Sequence, residues 1–400
     1  MSEHGAKKVF ISDLHMGDER ALHGTDTPYP YGWLRANIPL AAEFLEEQLR
    51  SDDVEEVVVL GDLFDGWVIP SDIDPALPSS SSPFYERSCK TDDNEPIVAA
   101  LRDLAQDHRL SYVAGNHDML VSEDFVKSKD GFPGIKFVEG SVEYPMWRRY
   151  EDGQLVAEHG HMYDPFCGTD DWTLRIPSMP QDLPFGYYCS RLVAHKVAAT
   201  GEHQDVLDIC GKFGEEFLKG HLDIPEDAFL AIAEDSGLDK YSPINLGNDA
   251  PSVYTSDVGK VYREILQEWS RHTPTETKVL EVVFRGLAEC IYEQYFRPDN
   301  GFRIAICGHT HVPMLRSWSP SRNKVVTWVE HLLKKSPSVP ASYVYANSGT
   351  WIDFGHPCTY VETEKDFNNN RHYVRLKSYS KDGYSRTTGE VFVPLDESGT

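Results

Sequence analysis

No segment of the chain reaches the roughly 18 consecutive apolar residues that a membrane-spanning helix needs, so no transmembrane helix is expected. The apolar core of a secretory signal is also missing. Met1 to Val9 is polar and runs directly into an apolar strand, which points to a cytoplasmic protein. There is no C-x-x-C pair. The seven cysteines (Cys89, Cys167, Cys189, Cys210, Cys290, Cys307 and Cys358) are odd in number, so reduced thiols are expected and a cysteine-held zinc is not. Basic charge is scarce: 38 Lys and Arg stand against 64 Asp and Glu, a net charge of −26. Such a surface repels a phosphate backbone and opposes nucleic acid as a general partner. A local pocket for one small phosphorylated molecule remains compatible with it. Global disorder is excluded, because 40 % of the residues are apolar and 12 % aromatic. The chain has no internal repeat, and its sequence sets no oligomeric state.

Apolar runs at 8–12 (KVFIS), 56–60 (EVVVL) and 110–114 (LSYVA) read as short buried strands. Between them, 39–50 places Leu40, Phe44, Leu45 and Leu49 on one helical face, and 96–106 reads as a helix with Pro96 in its first turn. This alternation implies a parallel sheet with crossover helices. Residues 70–83, rich in Pro, Ser and Asp, read as an exposed loop. Further strands are expected near 141–148, 155–158, 303–307, 343–346, 359–363, 372–378 and 391–394. From 163 to 300 the pattern turns helical. Thr273-Pro274-Thr275-Glu276 is a capping box, after which Val279, Leu280, Val283, Leu287, Cys290 and Ile291 share one face. A preceding helix carries Val258, Val261, Ile265 and Trp269.

Five polar clusters each follow an apolar strand: Asp13-Leu14-His15, Gly61-Asp62-Leu63-Phe64-Asp65, Gly115-Asn116-His117-Asp118, His159-Gly160-His161 and Gly308-His309-Thr310-His311. In open α/β sheets ligands collect beyond the carboxyl ends of strands, so all five clusters would face one crevice. Carboxylates, imidazoles and an amide oxygen suit divalent metals such as Mn, Fe or Zn. The alternation in Asp13-x-His15 and His309-x-His311 puts each pair on one side of an extended segment. A single Asp-x-His is a weak signal; five such clusters, each after a strand, are a strong one.

Taken in order as D-x-H, G-D-x-x-D, G-N-H-D, H-G-H and G-H-x-H, the clusters resemble the calcineurin-like metallophosphoesterase superfamily. Within it, S-D-L-H, G-D-L-F-D, H-G-H-x-x-D and Asn347-Ser348-Gly349-Thr350-Trp351 are most similar to the UDP-2,3-diacylglucosamine hydrolase branch. That branch commonly has Arg where this chain has His117. The resemblance implies an α/β fold: a four-layer sandwich of two central mixed β-sheets flanked by helices. Residues 1–162 and 301–400 would form it, with 163–300 as a mainly helical insertion or cap.

The resemblance also implies two divalent metal ions, manganese first, with iron or zinc as alternatives. Asp13, His15 and His311 would hold one, Asn116, His159 and His309 the other, and Asp62 would bridge them. A hydroxide activated by the cations would attack phosphorus, with His117 assisting the leaving group and Asp65 orienting His117. His161, Arg175, Arg191 and His195 are candidate substrate contacts, with Lys196 beside them. Tyr187, Tyr188 and Trp172 are candidates for stacking, and Trp67 for a pocket wall. The substrate would be a small phosphorylated or nucleotide-linked molecule. Two other functions fit parts of the pattern, a metal-stabilised binding scaffold without turnover and a nuclease.

Overall fold

The computed structural model describes residues 6–76, 83–140, 147–164, 167–168, 183–202, 224–247, 252–261, 263, 276–319, 322–327, 340–353 and 355–395. β1 (Lys7–Ile11), α1 (Glu19–His23), α2 (Ile38–Arg50), β2 (Val54–Leu60), α3 (Phe84–Lys90), α4 (Glu95–Gln106), β3 (Leu110–Val113), α5 (Glu123–Val126) and β4 (Lys136–Val138) form the first half. β1 to β4 pair in parallel. Antiparallel strands β13 (Cys358–Asp366), β14 (Arg371–Tyr379) and β15 (Ser385–Pro394) extend this sheet beyond β1 to seven strands, in the order β15-β14-β13-β1-β2-β3-β4. A second, six-stranded sheet has the order β11-β10-β12-β9-β6-β5. Its members are β5 (Tyr150–Asp152), β6 (Leu155–Ala157), β9 (Ile304–Cys307), β10 (Met314–Ser319), β11 (Arg322–Thr327) and β12 (Tyr343–Asn347).

The layering follows from the two-residue period of strands buried on both faces. Val9, Ile11, Val57 and Val59 point to one core, with Phe44 and Leu45 of α2 and Leu101 and Leu104 of α4. Their neighbours Phe10, Val58 and Leu60 point the other way, onto Leu155, Ala157, Ile304 and Ile306 of the second sheet. The outward residues of that sheet, Val156, Ala305 and Cys307, pack on Ala288 and Ile291 of helix Glu276–Tyr295. The result is helix, sheet, sheet, helix, as the resemblance implies. Helix Glu276–Tyr295, which the sequence reading places in the insertion, supplies the outer layer on the second sheet.

Most expected elements fall within a residue or two of their observed bounds. The strand expected at 141–148 is an exception: 141–146 lie outside the described residues, 147–149 carry no strand, and β5 begins at Tyr150. The β10–β11 hairpin and the short pair β7 (Pro243–Ile244) and β8 (Val253–Tyr254) were not foreseen. Thr273, Pro274 and Thr275 of the capping box, and Ile265 and Trp269 before it, lie outside the described residues. The loop from Pro70 is less exposed than its composition suggests, since Ser71 and Ala76 are buried. No disulfide joins the six described cysteines. No described helix is long and apolar enough to cross a membrane.

Arg191 explains why part of that loop is buried. On α6 (Phe185–Thr200) its side chain is fully enclosed. Nε donates to Ile69 O (2.6 Å), Nη1 to Tyr187 Oη (2.7 Å) and Asn245 O (2.9 Å), and Nη2 to Pro70 O (2.9 Å) and Ile73 O (2.6 Å). Every guanidinium donor is thus used within the protein. This corrects the expectation of a substrate contact at Arg191: the residue clamps α6 onto the loop after Trp67. Arg191→Met should lower the unfolding free energy by about 3 kcal/mol, because several buried carbonyls lose their donor. An unchanged urea midpoint would remove the clamp from the account.

Candidate metal centre

The two sheets bring five strand ends to one edge. Asp13 and His15 follow β1, Asp62 follows β2, Asn116 follows β3, His159 follows β6, and His309 and His311 follow β9. Five of these residues leave their strand in the left-handed region: Asp13 (φ 54°), His15 (56°), Asp62 (51°), His309 (70°) and His311 (56°). That region is sparsely populated by non-glycine residues, and such strain gathers where function holds it in place. Glycines supply the room. At Gly61, with φ 81°, an added Cβ would lie 2.5 Å from His159 Nδ1, and at Gly115 it would strike the Asp62 carboxylate.

Two groups of donor atoms result. In the first, His311 Nε2 lies 3.1 Å from His15 Nε2 and 3.2 Å from Asp13 Oδ1. In the second, Asn116 Oδ1 lies 3.0 Å from His159 Nε2 and 3.1 Å from His309 Nδ1. Asp62 stands between them, with Oδ2 at 3.2 Å from His159 Nε2 and 3.8 Å from His15 Nε2. His159 spends its other nitrogen on Leu60 O (2.7 Å), which leaves Nε2 as the lone-pair donor. The structure therefore brings together all seven residues expected as ligands.

The donor set fits a pair of divalent cations. Asp13 Oδ1 is buried and has no hydrogen-bond partner among the described residues, although two imidazole nitrogens lie within 3.8 Å of it. A buried carboxylate oxygen left over among converging imidazole nitrogens is what a cation would satisfy. Electrostatics agree. Burial would raise the Asp13 and Asp62 carboxyls, but the surrounding imidazoles hold both well below the usual carboxylate range. Burial lowers His15 and His159, yet Asp13 and Asp65 push His15 up to about 10, and Asp62 pushes His159 up to about 9.

His117 lies beside both groups. Its Nδ1 is 2.7 Å from Asp65 Oδ1, its backbone N–H donates to Asp62 Oδ1 (2.8 Å), and the Trp67 ring stacks on it at 4.7 Å and 24°. Trp67 is buried, so it backs the imidazole instead of forming an open pocket wall. Burial would raise Asp65, but His117 and His15 hold it down to about 2, ionised at neutral pH. His15, Asp62 and His117 also offer donor atoms within 4.8 Å of one another, so His117 is near enough to act as a ligand as well.

Two residues were not singled out from sequence. Trp33 packs edge-on to His15 (4.9 Å) and His311 (5.9 Å). Asp118 joins two of the loops: Oδ1 accepts from Gly115 N (2.6 Å), and Oδ2 from Leu63 N (2.7 Å) and Tyr112 Oη (2.5 Å). Its place in the Gly-Asn-His-Asp cluster was the available signal. For Trp33, remote from every cluster in sequence, there was none.

Among the expected substrate contacts, His161 lies 5.4 Å from the His159 ring and is buried. Burial and the neighbouring imidazoles push its pKa well below the ordinary value, which keeps it neutral. His195 is turned to Ser71 Oγ (3.2 Å) and Asp72 Oδ1 (3.1 Å), and Lys196 pairs with Asp235. Tyr187 and Tyr188 are buried in the α6 core. Arg175 and Trp172 lie outside the described residues.

The raised histidines set a sign for metal uptake. Below their folded pKa, His15 and His159 carry protons that an entering cation has to displace. Affinity should therefore rise with pH, by about tenfold per unit for each proton displaced, between about pH 6 and 8. Calorimetric titration of the metal-free protein with Mn, in buffers of different ionisation enthalpy, should show proton release; none would contradict the protonated resting state.

A family model for the calcineurin-like phosphoesterases matches residues 6–313. Among solved structures, a dimetal phosphatase from Danio rerio aligns at 10 % identity over 98 % of this chain and 100 % of its own, with a TM-score of 0.37. The purple acid phosphatase PPD1 from yellow lupin aligns at 11 % identity over 98 % of this chain and 54 % of its own, also with a TM-score of 0.37. No curated protein sequence matches the chain significantly. The family match spans the strand-end clusters from Asp13 to His311, and the chain belongs to the calcineurin-like phosphoesterases, as a metal-dependent phosphoesterase.

Proposed function

We propose that the protein hydrolyses a small phosphorylated substrate at a dinuclear centre in which Asp13, His15 and His311 hold one cation, Asn116, His159 and His309 the other, and Asp62 serves both. The observation that carries this reading is the position of Asp62 Oδ2, within 3.8 Å of an imidazole nitrogen from each group. Manganese is the first candidate for both positions, with iron or zinc as alternatives, since all three accept mixed oxygen and nitrogen donors.

When bound, the cations lower the pKa of water and neutralise phosphoryl oxygens. The chain supplies the rest. Asp65 accepts the Nδ1 proton of His117, so Nε2 is the atom that gives a proton to the leaving oxygen. Trp67 fixes the plane of that ring by stacking on it. Trp33, edge-on to His15 and His311, limits the rotation of two ligand rings and keeps water from their backs. The overall charge of −26 speaks against a nuclease. The Asp65–His117 pair, poised for proton transfer, speaks against a binding scaffold without turnover.

Two variants test the assignment. Asp62→Ala should abolish turnover and lower metal content; normal turnover would refute its shared role. His117→Ala should retain both cations and lose about 10²–10⁴ in kcat on an ester with a poor leaving group, while an activated aryl ester suffers far less. Loss of a cation in that variant would make His117 a ligand, together with His15 and Asp62, and end its assignment as the acid.

A further inference from the structure

Asp164 stands where the chain leaves the second sheet for the 163–300 region, and it touches the second ligand group directly. His309 turns Nδ1 toward Asn116 Oδ1 (3.1 Å) and Nε2 toward Asp164 Oδ2 (3.0 Å). The Asp164 backbone is itself held. Its N–H donates to His161 O (3.0 Å), and its carbonyl accepts from Cys167 N (3.1 Å) and Gly168 N (2.8 Å). The preceding residue, Tyr163, donates to Glu158 Oε1 (2.8 Å), the residue before His159, while Trp147 Nε1 donates to Glu158 Oε2 (2.8 Å). On the other side, Leu287 of helix Glu276–Tyr295 closes on Gly160. A Cβ there would lie 2.8 Å from Leu287 Cδ2, at a backbone φ of 106°. The segment entering the 163–300 region and the last helix of that region thus meet at His159-Gly160-His161.

An imidazole that offers Nδ1 to a cation must keep its proton on Nε2. A carboxylate that accepts this proton fixes the tautomer, sets the ring angle and raises the basicity of the metal-facing nitrogen. We propose that Asp164 is a positioning residue for the second cation: by orienting His309, the entrance to the 163–300 region sets how tightly that cation is held. The inference rests on His309 being a ligand, as proposed above. A different use of the same atoms is a third cation among Asp164, Cys167 and His309, whose donor atoms lie within 4.8 Å of one another. The 3.0 Å separation of His309 and Asp164 is a full hydrogen bond already, and this favours positioning.

The test is a Mn titration of the full chain by equilibrium dialysis, read together with the electron paramagnetic resonance signal of a spin-coupled Mn pair. Wild type, Asp164→Ala, Asp164→Asn, Cys167→Ser and His309→Ala are compared. Asp164→Ala should bind its first Mn with wild-type affinity and its second about 10–100-fold more weakly. It should lose the coupled-pair signal at concentrations that fill the wild type. Asp164→Asn, whose amide oxygen still accepts the Nε2 proton, should recover most of the signal, and Cys167→Ser should leave it unchanged. Asp164→Ser gives the same reading should the alanine variant fold poorly. Two Mn ions held with wild-type affinity in Asp164→Ala, alongside a lost ion in His309→Ala, would overturn the positioning role alone. Retention in both variants would overturn the ligand assignment and the inference with it. A third bound cation that disappears in both Asp164→Ala and Cys167→Ser would replace positioning with ligation.

Discussion

Asp62 is the constraint around which the rest of the molecule is arranged. Its carboxylate is buried between two groups of imidazoles drawn from both sheets. A buried carboxylate without a positive partner is costly, and Asp13 adds a second one nearby. The chain meets that cost in its metal-free state by keeping protons on His15 and His159. Bound cations would meet it in place of those protons. The strand ends, the left-handed turns and the loop-to-loop hydrogen bonds of Asp118 all hold donors in a place they would otherwise avoid. The crevice is preorganised because its neighbours leave these side chains few alternatives.

Much of this was readable before any coordinates. Strands buried on both faces are continuous apolar runs, so KVFIS, EVVVL and RIAIC stand out, and the polar residues after them mark the crevice edge. The extended alternation expected for Asp13-x-His15 and His309-x-His311 did not hold: all four residues have left-handed backbone, with φ from 54° to 70°, and His309 and His311 go to different donor groups. Other parts had no local signature. Arg191 carries the same charge whether it meets a phosphate or the carbonyls of Ile69, Pro70 and Ile73, and only the fold distinguishes them. Asp164 was visible as the last residue of H-G-H-x-x-D, but its pairing with His309, 145 residues away, was not. The β10–β11 hairpin was missed because Met314–Ser319 and Arg322–Thr327 alternate weakly and mix charge with apolar residues.

The described helices between β6 and β9 are tied into the sandwich at several points. The last of them covers the second sheet, α6 is clamped to the loop after Trp67 by Arg191, and Trp67 in turn backs His117. A displacement of α6 would therefore reach the proposed proton donor through a single aromatic ring.

The missing side chains at Gly61 and Gly115 carry a practical consequence. The space a methyl group would fill at these positions is taken by the His159 ring and the Asp62 carboxylate. An alanine at Gly115 would push the Asp62 carboxylate aside without deleting any donor atom. Such a protein would have an intact ligand inventory in the wrong geometry, and it could serve as a blank in which geometry and composition are separated.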